Sequence, residues 1–221
     1  YKGDYVYHNT GYYINFSGKH NLLSYRHTRA HNSILVNGIG QPFSTTGYGD
    51  VVRAMGGDHI AYCLGDASHA YNGISEDDMW VDAFKKAGIA QTPEYGFGKT
   101  PLKKYRRHML MLYPNILVIY DELEASEATR WDWLLHSDTK FTIDNTAHTL
   151  TTSNATAGFV ARTQLFSNDA MSLSQTDQFF CDPDGGVTSK YKRQWHMTAQ
   201  IPNSSSTRVL AIVQVGANED A

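Results

Sequence analysis

Histidine is concentrated at the start of this chain, together with other side chains that can do acid-base or metal chemistry. Four of the ten histidines fall within the first thirty-one residues: His8, His20, His27 and His31. Imidazole is the commonest metal ligand, and its pKa is the closest to neutral of the ordinary side chains. Tyr25 and Arg26 directly precede His27, so a phenol and a guanidinium accompany the imidazoles. We therefore expect the functional site in this segment and regard the rest of the chain as its scaffold.

These residues can form a metal site if two predicted strands are neighbours. Zinc usually takes four ligands in a tetrahedron, among them imidazole nitrogens and carboxylate oxygens. His31 lies where an irregular loop meets a predicted strand, and His8 and Asn9 lie at the end of an earlier one. Their side chains converge if those strands are adjacent. The alternative is that His31 is a hydrogen-bonded histidine beside a polar loop.

Other polar groups give weaker signals. His136 ends a predicted strand that contains Trp131 and Trp133, and His196 follows Trp195; for both, a structural histidine is the expectation. The adjacent acids Asp121 and Glu122 would point to opposite faces of a strand, so they do not form the opposed carboxylates of a glycosidase. The sequence also lacks a phosphate-binding loop, a nucleophile elbow and a dinucleotide fingerprint.

Composition and charge narrow the class of protein. Of the 221 residues, 41% are hydrophobic and 19% are charged, as in a folded globular domain. The formal net charge is −3, so we expect neither nucleic acid nor an anionic membrane as partner, and no apolar run is long enough for a membrane span. Cys63 and Cys181 either pair or remain thiols. Because the chain opens without methionine or a signal-peptide pattern, we expect a processed or truncated piece of a longer protein.

The pattern of short apolar runs predicts an all-β fold. Strands are expected at 4–9, 32–37, 51–55, 60–64, 102–113, 116–120, 131–135, 140–143, 148–152, 158–163, 171–173, 194–201 and 207–215. Segment 12–31 has no regular period and is expected to be a loop, whereas 75–87 predicts a short helix. Strands at this spacing, separated by turn residues, predict one antiparallel β-sandwich of two stacked sheets over 1–221, with at most one short helix.

Three stretches carry a resemblance to a known family. Thr28–Gln41, which contains Ala-His-Asn-Ser-Ile-Leu-Val-Asn-Gly, resembles a strand in the C-terminal β-sandwich of the heparinase II/III-like polysaccharide lyases. Asn9-Thr10-Gly11-Tyr12-Tyr13 is similar to the family's Asp-x-Gly-Tyr-Tyr turn. Residues 191–199, with Gln194-Trp195-His196, are similar to a stretch of some members. The first motif is the most specific of the three.

The resemblance implies a secreted or periplasmic lyase that cleaves an acidic polysaccharide containing uronic acid, of the glycosaminoglycan or alginate type, by β-elimination. It implies a second half of the cleft, an N-terminal α/α toroid of the same protein, outside this chain. It also implies a zinc ion, for which His31 would be a ligand; the family's carboxylate position falls on Asn9, and His8 is the substitute donor. Tyr25 is the candidate catalytic residue, with His20 and Arg26 as contacts for the substrate carboxylate. The alternative is a non-catalytic carbohydrate-binding or structural module.

Overall fold

The computed structural model describes residues 3–45 and 47–217, which form an antiparallel β-sandwich, so the predicted fold class is confirmed. The strands are β1 (Ile34–Val36), β2 (Asp50–Gly56), β3 (Ile60–Asp66), β4 (Asn72–Gly73), β5 (Gly98–Lys99), β6 (Leu102–Leu112), β7 (Ile116–Ser137), β8 (Thr142–Asp144), β9 (Thr149–Asn154), β10 (Phe159–Ser167), β11 (Ser172–Thr176) and β12 (Trp195–Ala217). The α-helix α1 (Asp78–Ala87) lies between β4 and β5. Single helical turns occupy Asn21–Tyr25, Thr28–Ala30 and Pro93–Tyr95.

Two long strands lie at the centre of the strand order. β7 has 22 residues and β12 has 23, and they pair with each other along almost their whole length. The strand order is β2-β3-β6-β7-β12-β10-β9-β8, with β1 on the later half of β7 and β11 on the earlier half of β12. β4 and β5 form a separate two-stranded ladder.

The length of these two strands corrects the sequence prediction, which divided each of them into two. Residues 121–130 contain neither glycine nor proline, so nothing ends β7 between its two apolar runs. In β12 the polar stretch after Ile201 does not form a turn. The strand continues through it, with shifts in its pairing register between Ile201 and Ser206. A bulge therefore stands where a loop was predicted.

Several local predictions are confirmed. The hairpins β2–β3 and β6–β7 form where the apolar runs predicted them. Asn37 and Gly38 have φ of 54° and 80°, the left-handed conformations that a tight turn after β1 requires. Helix α1 ends at Gly88, whose φ of 65° closes its last turn.

The predicted first strand and the predicted irregular loop are wrong. Residues 4–9 join no ladder; His8 donates one long hydrogen bond, 3.3 Å, to the His136 carbonyl. The alternating pattern instead places Tyr7 against Phe141, with its hydroxyl 2.7 Å from Thr163 Oγ1. Segment 12–31 contains the helical turns at Asn21–Tyr25 and Thr28–Ala30. The first of these turns buries the side chains of Leu22 and Leu23.

The protein has two apolar clusters. The larger, here the sandwich core, contains buried residues from β1, β6, β7 and β9 to β12, including Trp131 and Trp133. The smaller, here the helix cluster, joins Leu22 and Leu23 to Phe84 of α1 and to Phe97. Trp80 and Phe43 pack against the helix cluster at its margin. The segment with Tyr25, Arg26 and His31 therefore connects the helix cluster, which it leaves at Leu23, to the sandwich core, which it enters at Ile34.

Candidate functional site

The turn at Asn9-Thr10-Gly11 brings the start of the chain against the helical turn that ends at Tyr25. Gly11 has φ of 82°, and a Cβ there would meet the Ser24 carbonyl oxygen and lie 2.9 Å from Tyr25 Cα. The backbone amide of Thr10 donates to the Ala30 carbonyl at 2.9 Å, and that of Gly11 to Gln194 Oε1 at 2.7 Å. Only glycine allows this approach, which places Asn9 near Tyr25.

The residues on either side of His31 form hydrogen bonds to strands β6 and β7. The Asn32 side-chain oxygen accepts from the backbone amide of His136 at 2.9 Å, and the Asn32 carbonyl accepts from Arg107. His136 is fully buried, and its Nε2 donates to the Arg29 carbonyl at 2.8 Å. The backbone on both sides of His31 is thus fixed to β6 and β7, while the imidazole itself is partly exposed.

Five of the six predicted site residues line one pocket of about 510 Å³. Its lining consists of Tyr5, His8, Asn9, Tyr25, Arg26, His31, Phe43 and Trp80. A smaller pocket of about 240 Å³ shares three of these residues, Arg26, His31 and Phe43. A separate cavity of about 370 Å³ beside Met111 and Val213 is mainly apolar and presents no imidazole or guanidinium. The pocket of about 510 Å³ is therefore the candidate site.

The two imidazoles of the pocket have different surroundings. His8 Nε2 lies 3.1 Å from Asp138 Oδ1, and Nδ1 lies 2.5 Å from the Asn9 carbonyl oxygen. The Asp138 carboxylate raises the pKa of His8 above its ordinary value. Burial lowers the pKa of His31, against the opposing effect of the Arg26 and Tyr25 carbonyls.

Arg26 presents a guanidinium that no acid of the described residues neutralises. Its central carbon lies 5.2 Å from the centroid of Trp80, 5.6 Å from that of Tyr13 and 5.9 Å from that of Phe16. Its Nε is buried without a hydrogen-bond partner in the described chain. Aromatic faces attract a cation without neutralising its charge, so the guanidinium remains available to an anion.

His20 lies outside the pocket lining, in a structural setting. Its Nδ1 donates to the Cys181 carbonyl at 2.6 Å, and its Nε2 accepts from the Tyr12 amide at 3.0 Å. The ring is buried and packs edge-on against Phe179. Both nitrogens are occupied inside the protein, so we assign His20 to holding the 12–20 segment.

The donors in the pocket do not complete a zinc site by themselves. Both nitrogens of His8 already face oxygen atoms, and Asn9 offers a neutral amide oxygen, a poorer zinc ligand than carboxylate. Within residues 3–45 and 47–217 no three His, Cys, Asp or Glu side chains are grouped closely enough to hold a metal. Zinc binding stays a prediction from the resemblance.

Sequence reasoning missed Asp138, Phe43 and Trp80. Asp138 follows β7, and its carboxylate accepts from Gln194 at 3.2 Å as well as facing His8. The pattern of residues 75–87 places Trp80 in a short helix but does not indicate which side of that helix contacts Arg26. Asp138 and Trp80 are separated from the histidine-rich segment by long stretches of chain, and no local pattern marks Phe43 as part of the site.

The fold and the pocket define a class: a β-sandwich domain with a cleft that offers proton-transfer groups and a free guanidinium. Comparison with known families identifies it further. The sequence model of the family described as Heparinase II/III-like, C-terminal, matches residues 1–213, and the chain belongs to this family. No curated protein sequence matches it.

Solved structures with this fold include heparinases. A structure of heparinase III has a TM-score of 0.60 and 14% sequence identity, covering 98% of this chain and 28% of that one. The heparan sulfate lyase HepC of Pedobacter heparinus has a TM-score of 0.59 and 14% identity, with coverage of 89% and 26%. This chain therefore spans about a quarter of each of those proteins, and the likeness concerns the fold. No helix among the described residues is long and apolar enough to cross a bilayer.

Proposed function

We propose that this domain forms half of the substrate cleft of a polysaccharide lyase that cleaves uronic-acid-containing polysaccharide by β-elimination. The supporting observation is the pocket that gathers Tyr25, Arg26 and His31. An N-terminal α/α toroid of the same protein would form the other half, and a secreted or periplasmic location would give access to the polymer. Both belong to the proposal, as does the acidic polysaccharide as partner, of the glycosaminoglycan or alginate type.

The chemistry requires two proton transfers and one neutralised charge. A base removes the proton at C5 of the uronate, the bond from C4 to the bridging oxygen breaks, and that oxygen receives a proton as the double bond forms between C4 and C5. The proton at C5 becomes acidic enough only if the adjacent carboxylate is neutralised, and Arg26 supplies a fixed positive charge for this. Tyr25 lies next to Arg26 in the same pocket and is the residue that we assign to proton transfer.

The test measures the formation of unsaturated uronate from heparan sulfate, unsulfated heparosan and alginate. Its ultraviolet absorbance is the readout. Tyr25→Phe should lower kcat by about 100-fold or more, since proton transfer by a positioned side chain contributes about that much. Tyr48→Phe, at an exposed tyrosine away from the pocket, is the matched control and should leave kcat unchanged. Wild-type activity in Tyr25→Phe would remove Tyr25 from the mechanism.

A carbohydrate-binding module is the second candidate, favoured by the exposed tyrosines beside the pocket. Tyr5 is 80% exposed and Tyr13 is 55% exposed, and aromatic faces of this kind stack on sugar rings. Glycan binding without product at any enzyme concentration would establish this function in place of the lyase.

The zinc prediction has its own measurement. If the family's metal is held here, elemental analysis should find zinc in the purified protein and markedly less in His31→Ala, because His31 is the proposed imidazole ligand. Equal zinc content in the two proteins would exclude His31 as a ligand.

A further inference from the structure

We propose that Trp80 is a positioning residue, whose indole ring holds the Arg26 guanidinium in the orientation that binds the carboxylate of an acidic sugar. The nature of the ligand rests on the proposed function. The role of Trp80 rests on the geometry around Arg26.

Three aromatic rings surround the Arg26 guanidinium, and no acidic side chain within residues 3–45 and 47–217 pairs with it. Trp80 is the nearest of the three rings, at 5.2 Å from the guanidinium carbon to the ring centroid. A partly buried guanidinium normally has an acid or several carbonyls beside it, because an unpaired buried charge is costly. Here Nε is buried without a hydrogen-bond partner in residues 3–45 and 47–217, so the charge is uncompensated within the described chain.

Trp80 is itself rigidly held. Its ring stacks on Phe16, with centroids 4.9 Å apart and planes 22° apart, and it packs against Phe43 at 5.0 Å. Phe43 in turn contacts Phe84 and Phe97 of the helix cluster. Trp80 of helix α1 is therefore held in place by the packed rings of the helix cluster, and its indole in turn contacts the Arg26 guanidinium.

The position of Trp80 explains why α1 matters to the pocket. Both Trp80 and Arg26 line it, and Arg26 also lines the smaller pocket beside it. An arginine side chain has several rotatable bonds, and binding an anion with a free arm requires ordering of that arm. The indole of Trp80 orders the arginine side chain before the ligand binds. Removal of the indole should therefore weaken the binding of charged sugars, which contact the guanidinium, and not that of neutral ones.

The experiment compares two probes by calorimetry: a heparosan hexasaccharide, and the same hexasaccharide with its carboxyl groups reduced to alcohols. The wild-type protein should bind the carboxylated probe more tightly. Trp80→Met should weaken that probe about tenfold and leave the reduced probe within about twofold, as expected for loss of a cation-π contact worth about one to two kcal/mol. Trp80→Phe keeps an aromatic face and should restore most of the preference.

A double-mutant cycle separates positioning from a merely structural role. R26Q should lose the preference for the carboxylated probe, and Trp80→Met combined with R26Q should bind that probe no more weakly than R26Q alone. Equal weakening of both probes by Trp80→Met, or additive losses in the double variant, would overturn the inference.

A second measurement does not depend on the folding of Trp80→Met. The fluorescence of Trp80 is the difference between the wild-type protein and Trp80→Phe, and it should change on titration with the carboxylated probe but not in an R26Q background. A carboxylate preference that depends on Arg26 but leaves Trp80 fluorescence unchanged would overturn this inference alone. Failure of the wild-type protein to bind either probe would overturn the proposed function with it.

Discussion

At the scale of single residues, burial and hydrogen bonding together keep the His27 ring neutral. His27 is fully buried; its Nδ1 accepts from the backbone amide and the Nε of Arg29, at 3.1 and 3.0 Å. The proton of the neutral ring must therefore be on Nε2, which donates to the Gly96 carbonyl at 3.0 Å. Burial, with the charge of Arg29, lowers the pKa of His27 to about 3. Protonation of Nδ1 would break both bonds with Arg29.

His27 should make stability depend on pH in a defined window. Above the ordinary pKa of 6.5 the ring is neutral in both folded and unfolded chains, and its contribution is complete. Between 6.5 and about 3 only the unfolded chain takes up the proton, so the free energy of unfolding falls as pH falls. His27→Gln should be less stable than wild type by about 1 to 3 kcal/mol at about pH 7.5, through lost buried hydrogen bonds. At about pH 5 the difference should shrink by about 2 kcal/mol.

Urea unfolding at the two pH values measures the effect. His59→Gln, at the exposed turn between β2 and β3, removes one histidine without changing a buried contact and is the control. Curves of His27→Gln and wild type that stay parallel over this range would contradict a neutral buried His27.

At the scale of elements, the close crossing of two backbone segments forms the pocket. The turn at Gly11 and the helical turn that ends at Tyr25 touch through main-chain atoms, and no side chain fits between them. This crossing places Asn9 and Tyr25 around one space, although sixteen positions separate them along the chain.

Gly11→Ala should therefore destabilise the protein and distort the pocket. A Cβ at φ of 82° is strained and also collides with the Ser24 carbonyl, so we expect a loss of about 2 to 4 kcal/mol. Gly185→Ala is a matched control, because Gly185 has φ of 85° but no atom within 4 Å of its would-be Cβ. It should lose only the cost of backbone strain, about 1 kcal/mol. Equal losses in urea unfolding would show that the crossing carries no special constraint.

The same scale shows what the sequence could and could not predict. The β2–β3 and β6–β7 hairpins and α1 were predictable, because alternation and turn residues are local signals. The continuity of β7 and β12 was not, because it depends on pairing between strands distant in sequence. The pocket followed the same rule: Tyr25, Arg26 and His31 lie in one segment and were found, whereas Asp138 and Trp80 reach it through the tertiary fold.

At the scale of the whole molecule, the candidate site combines residues held by the sandwich core with residues held by the helix cluster. His31 is fixed through Asn32 to His136 of β7 and to Arg107, which forms a two-point ion pair with buried Asp121. Arg26, by contrast, rests on rings at the margin of the helix cluster. Loss of either cluster would separate the residues that the proposed reaction requires.

The prediction of one domain over 1–221 therefore has a direct test in unfolding. Trp131 and Trp133 are buried in the sandwich core, whereas Trp80 lies at the helix cluster, so tryptophan fluorescence can report on both regions. In Trp80→Phe the fluorescence change comes mainly from the sandwich, and circular dichroism follows the whole chain. If the clusters unfold together, urea transitions by both probes should coincide for the wild-type protein and for this variant. Separate midpoints would show that the helix cluster, and with it the Arg26 side of the pocket, opens independently of the sandwich.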